Sequence, residues 1–222
     1  MAGPIIEVPN SNGGVTPVGL VSQIGSARSQ ATGGSAYRLG LKSGSTGLTG
    51  LAAAAPVFAL RNTSTSSNIL VTRFDWMLCV TTVASAAGLL DSQLTIARAF
   101  TAMDTGGVAV TLSGNDQKKR TSYATTIASM RVAQTAALTA GTRTLDDNPV
   151  AVDAAWLATS TLGPVGGGQY EAQLNEDGGD EEGILLAANE GLILALIAAM
   201  PTSAVAQLYL DIDWKEIPIG SY

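Results

Sequence analysis

The stretch that decides the fold is Glu182–Trp214, EGILLAANEGLILALIAAMPTSAVAQLYLDIDW. At its end Leu208, Leu210, Ile212 and Trp214 fall on one parity, while Gln207, Tyr209, Asp211 and Asp213 fall on the other. That period of two predicts a strand with one face in a core and one in water. Upstream, the apolar runs Ile184–Ala188 and Leu192–Ala199 are divided by the turn-forming Asn189-Glu190-Gly191, and Met200-Pro201-Thr202-Ser203 closes the second. Three strands in succession are expected, the first two as a buried hairpin. A membrane-spanning helix over 184–200 is disfavoured, because Asn189 and Glu190 interrupt the run and the rest is about half of the ~20 residues that a span needs.

Working outward, the same grammar recurs. In Ile69–Thr82 the residues Leu70, Phe74, Trp76, Leu78 and Val80 share a parity, opposite Val71, Arg73, Asp75 and Cys79, so a second strand is predicted. The Ala-rich Leu51–Leu60 tempts a helical reading, but Pro56 would break its interior hydrogen bonding, and a strand through Val57–Leu60 is preferred. Leu90–Phe100, Val108–Leu112 and Thr121–Val132 read as further strands between glycine-bearing turns, and Tyr170–Leu174 as a short one. Pro149–Thr161, which holds Trp156 and Leu157, stays open between a helical turn and a strand. Many short strands with frequent turns and no long helix give an all-β antiparallel β-sandwich, jelly roll or immunoglobulin-like. The jelly-roll-like form is the expectation carried forward. Residues 1–50 are rich in Gly, Ser, Thr and Pro and form an extended N-terminal arm or edge strands; 51–222 form the sandwich domain.

Composition narrows function. The 222 residues are 46% hydrophobic but only 14% charged, which leaves a bland surface best covered by copies of the chain or by a partner. The net charge of −6 argues against nucleic-acid binding, and Lys118-Lys119-Arg120 reads as a solvated turn. The single cysteine, Cys79, permits no internal disulfide and reads as a small buried apolar residue. The first fourteen residues lack signal-peptide character, so folding in a cytoplasm is expected.

With no histidine, the chain lacks the commonest general base and metal ligand. No phosphate-binding glycine motif occurs. The acidic octet at 175–182 offers hard oxygen ligands, with Glu176, Asp177 and Asp180 as the calcium candidates; its spacing does not match a helix-loop-helix calcium motif, and a solvated, mutually repelling loop competes with the metal reading. Asp211 and Asp213 could imitate a glycosidase pair or form the wet side of a sheet. No catalytic residue and no cofactor is assigned.

One resemblance sharpens this. The succession Leu60–Asn62 then NILVTRFDW, LTIARAFTAMDTGGVAVTLSGNDQKKRTS, ALTAGTRTLDDNPV and GILLAANEG through IDWKEI resembles a group of structural proteins of tailed bacteriophages, over about Val57 to Ile217. Its most specific pieces are AFTAMDTGG, LTAGTRTL, LAANEG and IDWKE. The resemblance implies a virion component with a β-sandwich core, a capsid decoration or cement protein. Its partners would be the major capsid protein and itself, as homodimer or homotrimer, on the capsid surface, with no nucleic acid and no membrane. The alternatives are a tail- or fibre-associated protein recognising a host surface glycan, and an enzyme acting on cell-wall polysaccharide.

Overall fold

The computed structural model describes residues 6–9 and 15–18 as backbone, and 35–44, 47–172 and 183–219 in full. Every regular element among them is a strand: β1 (Ile6–Pro9), β2 (Val15–Val18), β3 (Ser35–Lys42), β4 (Leu48–Thr49), β5 (Pro56–Asn62), β6 (Ser67–Thr82), β7 (Gly88–Arg98), β8 (Val108–Ala109), β9 (Ala128–Val132), β10 (Thr144–Leu145), β11 (Ala151–Leu157), β12 (Gly163–Val165), β13 (Gln169–Glu171), β14 (Ile184–Leu186), β15 (Gly191–Leu196) and β16 (Val205–Pro218).

β1 and β2 form a two-stranded ribbon, and the remaining strands form two antiparallel sheets. In the front sheet β16 lies between β6 and β3, with β12, β13 and β14 following one another along the far side of β6. The back sheet runs β7, β15, β5, β9, β8, and β10 and β11 flank the free side of β7. Taken in chain order, β3, β5, β6, β7, β11, β12–β14, β15 and β16 fall front, back, front, back, back, front, back, front. This is the double-sheet order of a jelly roll. The chain between β7 and β11 is an excursion that adds β8 and β9 beside β5.

β16 buries every second residue from Ala206 to Glu216, as its alternation requires. Its partner is less regular: β-bulges leave Thr72 and Thr81 without a partner in the ladder. An extra residue reverses the side-chain parity of a strand. Phe74, Trp76, Leu78 and Val80 therefore point inward, but on the other side of Thr72 it is Ile69 and Val71 that do so, and Leu70 leaves the inward set. Phe58 meets Phe74 edge-on at 5.6 Å, and Phe74 meets Trp76 at 5.9 Å, so an aromatic line crosses between the sheets.

Three expectations change and one open reading is decided. β14 and β15 lie in different sheets, so Asn189-Glu190-Gly191 is a corner that carries the chain across the sandwich rather than a hairpin tip. In Thr121–Val132 only Ala128–Val132 is a strand; Thr126 Oγ1 and the Ile127 N–H are held by Glu216 Oε1, so this segment spends its donors on a side chain. Val108–Leu112 shortens to a two-residue strand. The open segment 149–161 resolves as the strand β11. β5 and β15 are buried on both faces, one toward the front sheet and one beneath the excursion, whose Phe100 is fully buried.

Candidate functional site

Three places gather chemistry or unusual surface. The first is the corner at Asn189-Glu190-Gly191. Asn189 takes a left-handed conformation, φ 60°, which asparagine tolerates because its side chain can bond locally. Its Oδ1 accepts from Arg61 Nη2 at 2.8 Å, and its carbonyl accepts the Phe100 N–H at 2.7 Å. Glu190 accepts from Arg98 with one oxygen and from the Ala187 N–H at 2.8 Å with the other, and Arg98 also grips Asp146. These two carboxylates hold the Arg98 guanidinium above its usual range. Beneath them Arg143 pairs with Asp104, both buried, while Asp104 Oδ1 also accepts the Gly141 N–H at 2.9 Å. Arg143 lies 5.2 Å above the Phe100 ring, and burial pushes its guanidinium down from its ordinary value.

This corner unites three of the quoted sequence pieces: AFTAMDTGG contributes Phe100 and Asp104, LTAGTRTL contributes Gly141 and Arg143, and LAANEG contributes Asn189 and Glu190. Every charge in it already has a partner in the fold. Its chemistry is that of a clamp fastening the excursion to the back sheet.

The second place is the outer face of the front sheet, where an open groove of about 790 Å³ runs between the sheet and the loop around Thr111–Gln117. Arg38, Arg73, Asp211 and Asp213 line it. Gly40 leaves the room that Asp211 occupies, since a Cβ there would meet Asp211 Oδ1 at 2.8 Å. Asp213 is bonded to Lys119 at 3.1 Å, and Arg73 to Asp75, whose hydrogen bond holds the guanidinium above its usual range. Tyr209 stands on the same face beside Asp211, 36% exposed. Asp211 and Asp213 thus lie on the wet side of the sheet, with Asp213 tied to a cation.

The other sequence candidates are placed as follows. Glu176, Asp177 and Asp180 lie outside the described residues, and among the described residues no group of three or more acidic or cysteine side chains is arranged to hold a metal ion. Cys79 is half-buried and shares the outward parity of Asp75 and Met77, so it is not the core residue expected of it. Of Lys118-Lys119-Arg120, Lys118 bridges Tyr37 and the Lys119 N–H donates to the Ala36 carbonyl, which lays this turn along the edge of β3. No helix among the described residues is long and apolar enough to cross a membrane.

The third place was not singled out by sequence reasoning. β11 lies at the edge of the back sheet and pairs, among the described residues, with β7 alone. Its register sets Val152, Ala154 and Trp156 on the outer face, opposite Gln93, Asp91 and Leu89. Val152 is 60% and Trp156 68% exposed, and the exposed Leu89, paired with Trp156, adds apolar area beside it. Tryptophan is costly to leave in water, and a contiguous apolar patch on a sheet edge marks a contact surface. The sequence signal was present in Ala151–Leu157, which carries apolar residues on both parities although it is not a central strand.

No family model matches this chain, and no curated protein or solved structure matches it either.

Proposed function

We propose that this chain is a structural subunit of a tailed-bacteriophage virion, a capsid decoration or cement protein that binds the head shell as an oligomer. The observation that carries this reading is the exposed apolar strip of β11, Val152–Ala154–Trp156, on a sheet edge that no strand among the described residues covers. An edge of that kind is a liability in a free monomer and an asset in a subunit that works by covering surface. The jelly roll is a framework used by viral capsid domains, an analogy of fold that raises the reading without assigning it. The sequence resemblance supplies the phage context, with the major capsid protein and further copies of the chain as partners on the capsid surface.

The protein is read as non-catalytic. The chain holds no histidine, and among the described residues Asp213 and Asp75 are tied to cations and so are not a free acid–base pair. A second reading, a tail- or fibre-associated protein that recognises a host glycan, draws on the groove lined by Arg38, Arg73 and Asp211, with Tyr209 beside Asp211 on the same face, since a small-molecule site sets a few polar groups beside apolar and aromatic surface. Electron microscopy of purified virions, at a resolution that separates head from tail, tests both. Density for the sandwich on the head shell supports the first reading, density on the tail supports the second, and absence from the particle overturns both.

A further inference from the structure

We propose that β11 is a self-pairing edge, through which two copies of this chain join antiparallel about a twofold axis passing at Ala154. The inference rests on the reading of the protein as an assembling subunit and names the surface that assembles. It begins with the backbone. β11 is hydrogen-bonded to β7 on one side and carries no strand on the other among the described residues, so its free edge is a template for a further strand.

Exposed edges are ordinarily blunted by lysine, proline, a bulge or an inward-pointing charge. β11, AVDAAWL, has no lysine, no proline and an unbroken register with β7. Its one charge, Asp153, has its carboxylate against Gly166, where a Cβ would come within 2.3 Å of Asp153 Oδ2. Asp153 is thus the one blunting device that β11 carries, and it lies on the face opposite Val152, Ala154 and Trp156, which the strand presents outward without a charge.

The sequence of the strand then selects the occupant and the register. With Ala154 on the axis, Val152 lies opposite the partner's Trp156, Trp156 opposite the partner's Val152, and Asp153 opposite the partner's Ala155. A large ring faces a β-branched side chain on each side of a small centre, the kind of cross-strand pair that stabilises antiparallel sheets. Neighbouring symmetric registers are poorer. An axis at Asp153 sets two carboxylates directly opposite, and an axis at Ala155 sets Trp156 against the partner's Ala154 and loses the pairing of Val152. The contact is isologous, so it closes at two copies and does not run on into a fibre. A seven-residue edge covers much less than the ~1,600 Å² of a standard stable interface, so the dimer is weak in solution and gains strength where copies are repeated over a scaffold.

The test uses the full chain. Residues directly opposite in an antiparallel pair have Cα atoms about 4.5–5.5 Å apart, within the span of a disulfide. Ala154→Cys in a Cys79→Ser background, oxidised with copper phenanthroline, is expected to give a covalent dimer at least about tenfold faster than Val108→Cys, an exposed position on the opposite edge of the same sheet. A mixture of Val152→Cys and Trp156→Cys chains is expected to cross-link faster than either alone. Sedimentation of the unmodified chain up to about 1 mM is expected to show a reversible dimer, which Trp156→Glu weakens at least about tenfold.

Cross-linking at Ala154 no faster than at Val108, a chain that stays monomeric over that range, or a dimer indifferent to Trp156→Glu would each overturn the proposal. None of these outcomes bears on whether the protein sits in a virion, which the microscopy decides separately.

Discussion

Arg143 and Asp104 form an ion pair that is almost fully withdrawn from water, with Arg143 also stacked over Phe100. Breaking such a pair from one side strands a buried charge. Asp104→Ala or Arg143→Ala is therefore expected to cost about 3–5 kcal/mol in urea unfolding. The double replacement Asp104→Leu/Arg143→Met removes both charges and is expected to cost less than either alanine variant. A double variant as damaged as the sum of the singles would show that the two residues act independently.

Trp76 and Trp214 are both buried, but they differ in what their indole N–H meets. Trp76 Nε1 donates to Ser92 Oγ at 2.8 Å across the sandwich, whereas Trp214 Nε1 has no hydrogen-bond partner among the described residues and the ring stacks on Tyr37 at 5.2 Å. Ser92→Ala is expected to destabilise by about 1–2 kcal/mol, since it orphans a buried donor. Trp214→Phe is expected to cost less than Trp76→Phe, because it removes a donor that no described residue satisfies, whereas Trp76→Phe leaves Ser92 Oγ without its donor. Thermal unfolding of the three variants checks the order.

Tyr37 is fully buried, and burial, with Glu216 nearby, raises its hydroxyl above the ordinary value of 10.0. The folded chain then holds this proton at pH values where the unfolded chain has released it, so the stability it contributes is full below about pH 10 and declines as pH rises further. Tyr37→Phe is expected to lose about 1 kcal/mol at neutral pH, from the bond to the Ala124 carbonyl, and to flatten this alkaline decline. Urea midpoints measured from pH 8 to 11 test both parts.

Gly168 lies against Trp76 so closely that a Cβ would come within 1.9 Å of the indole ring. Gly168→Ala is expected to cost about 3 kcal/mol and to disturb tryptophan fluorescence, because a packed ring must move. Gly40→Ala meets only the tip of Asp211, a side chain free to swing into the groove, and is expected to stay within about 1 kcal/mol of the parent. Equal costs at the two sites would contradict this account.

Much of the sandwich was legible in the sequence because its most regular strand, β16, alternates without interruption from Ala206 to Glu216. The parity of β6 was legible only beyond Thr72. A bulge leaves no mark in a run where both parities are apolar, so Leu70 was grouped with Phe74. The corner at Asn189 read as a hairpin because turn residues announce a change of direction but not which sheet the chain enters next. β11 was ambiguous because alanine favours helices, while its strand character comes from pairing with β7, a tertiary cause. Cys79 was read as core from its apolar neighbours, although its parity with Arg73 and Asp75 already set it on the wet face.

The contact surface was the least legible feature. The strip Val152–Ala154–Trp156 shares its composition with a buried strand, and only the topology shows that no strand among the described residues covers it. The clamp of Arg143 and Asp104 was hidden in a different way. Its members stand in separate turns, and no local period relates them.

Among the described strands of the sandwich β16 is the latest in the chain, and it lies between β6 and β3. Until Pro218 has left the ribosome, β3 and β6 have no strand between them, and the front sheet cannot close over the aromatic line of Phe58, Phe74 and Trp76. Pairings so distant in sequence make for slow folding with exposed intermediates. A nascent chain stalled before Val205 should therefore be held by chaperones and cut readily by protease, and resistance should arise in one step only after β16 emerges.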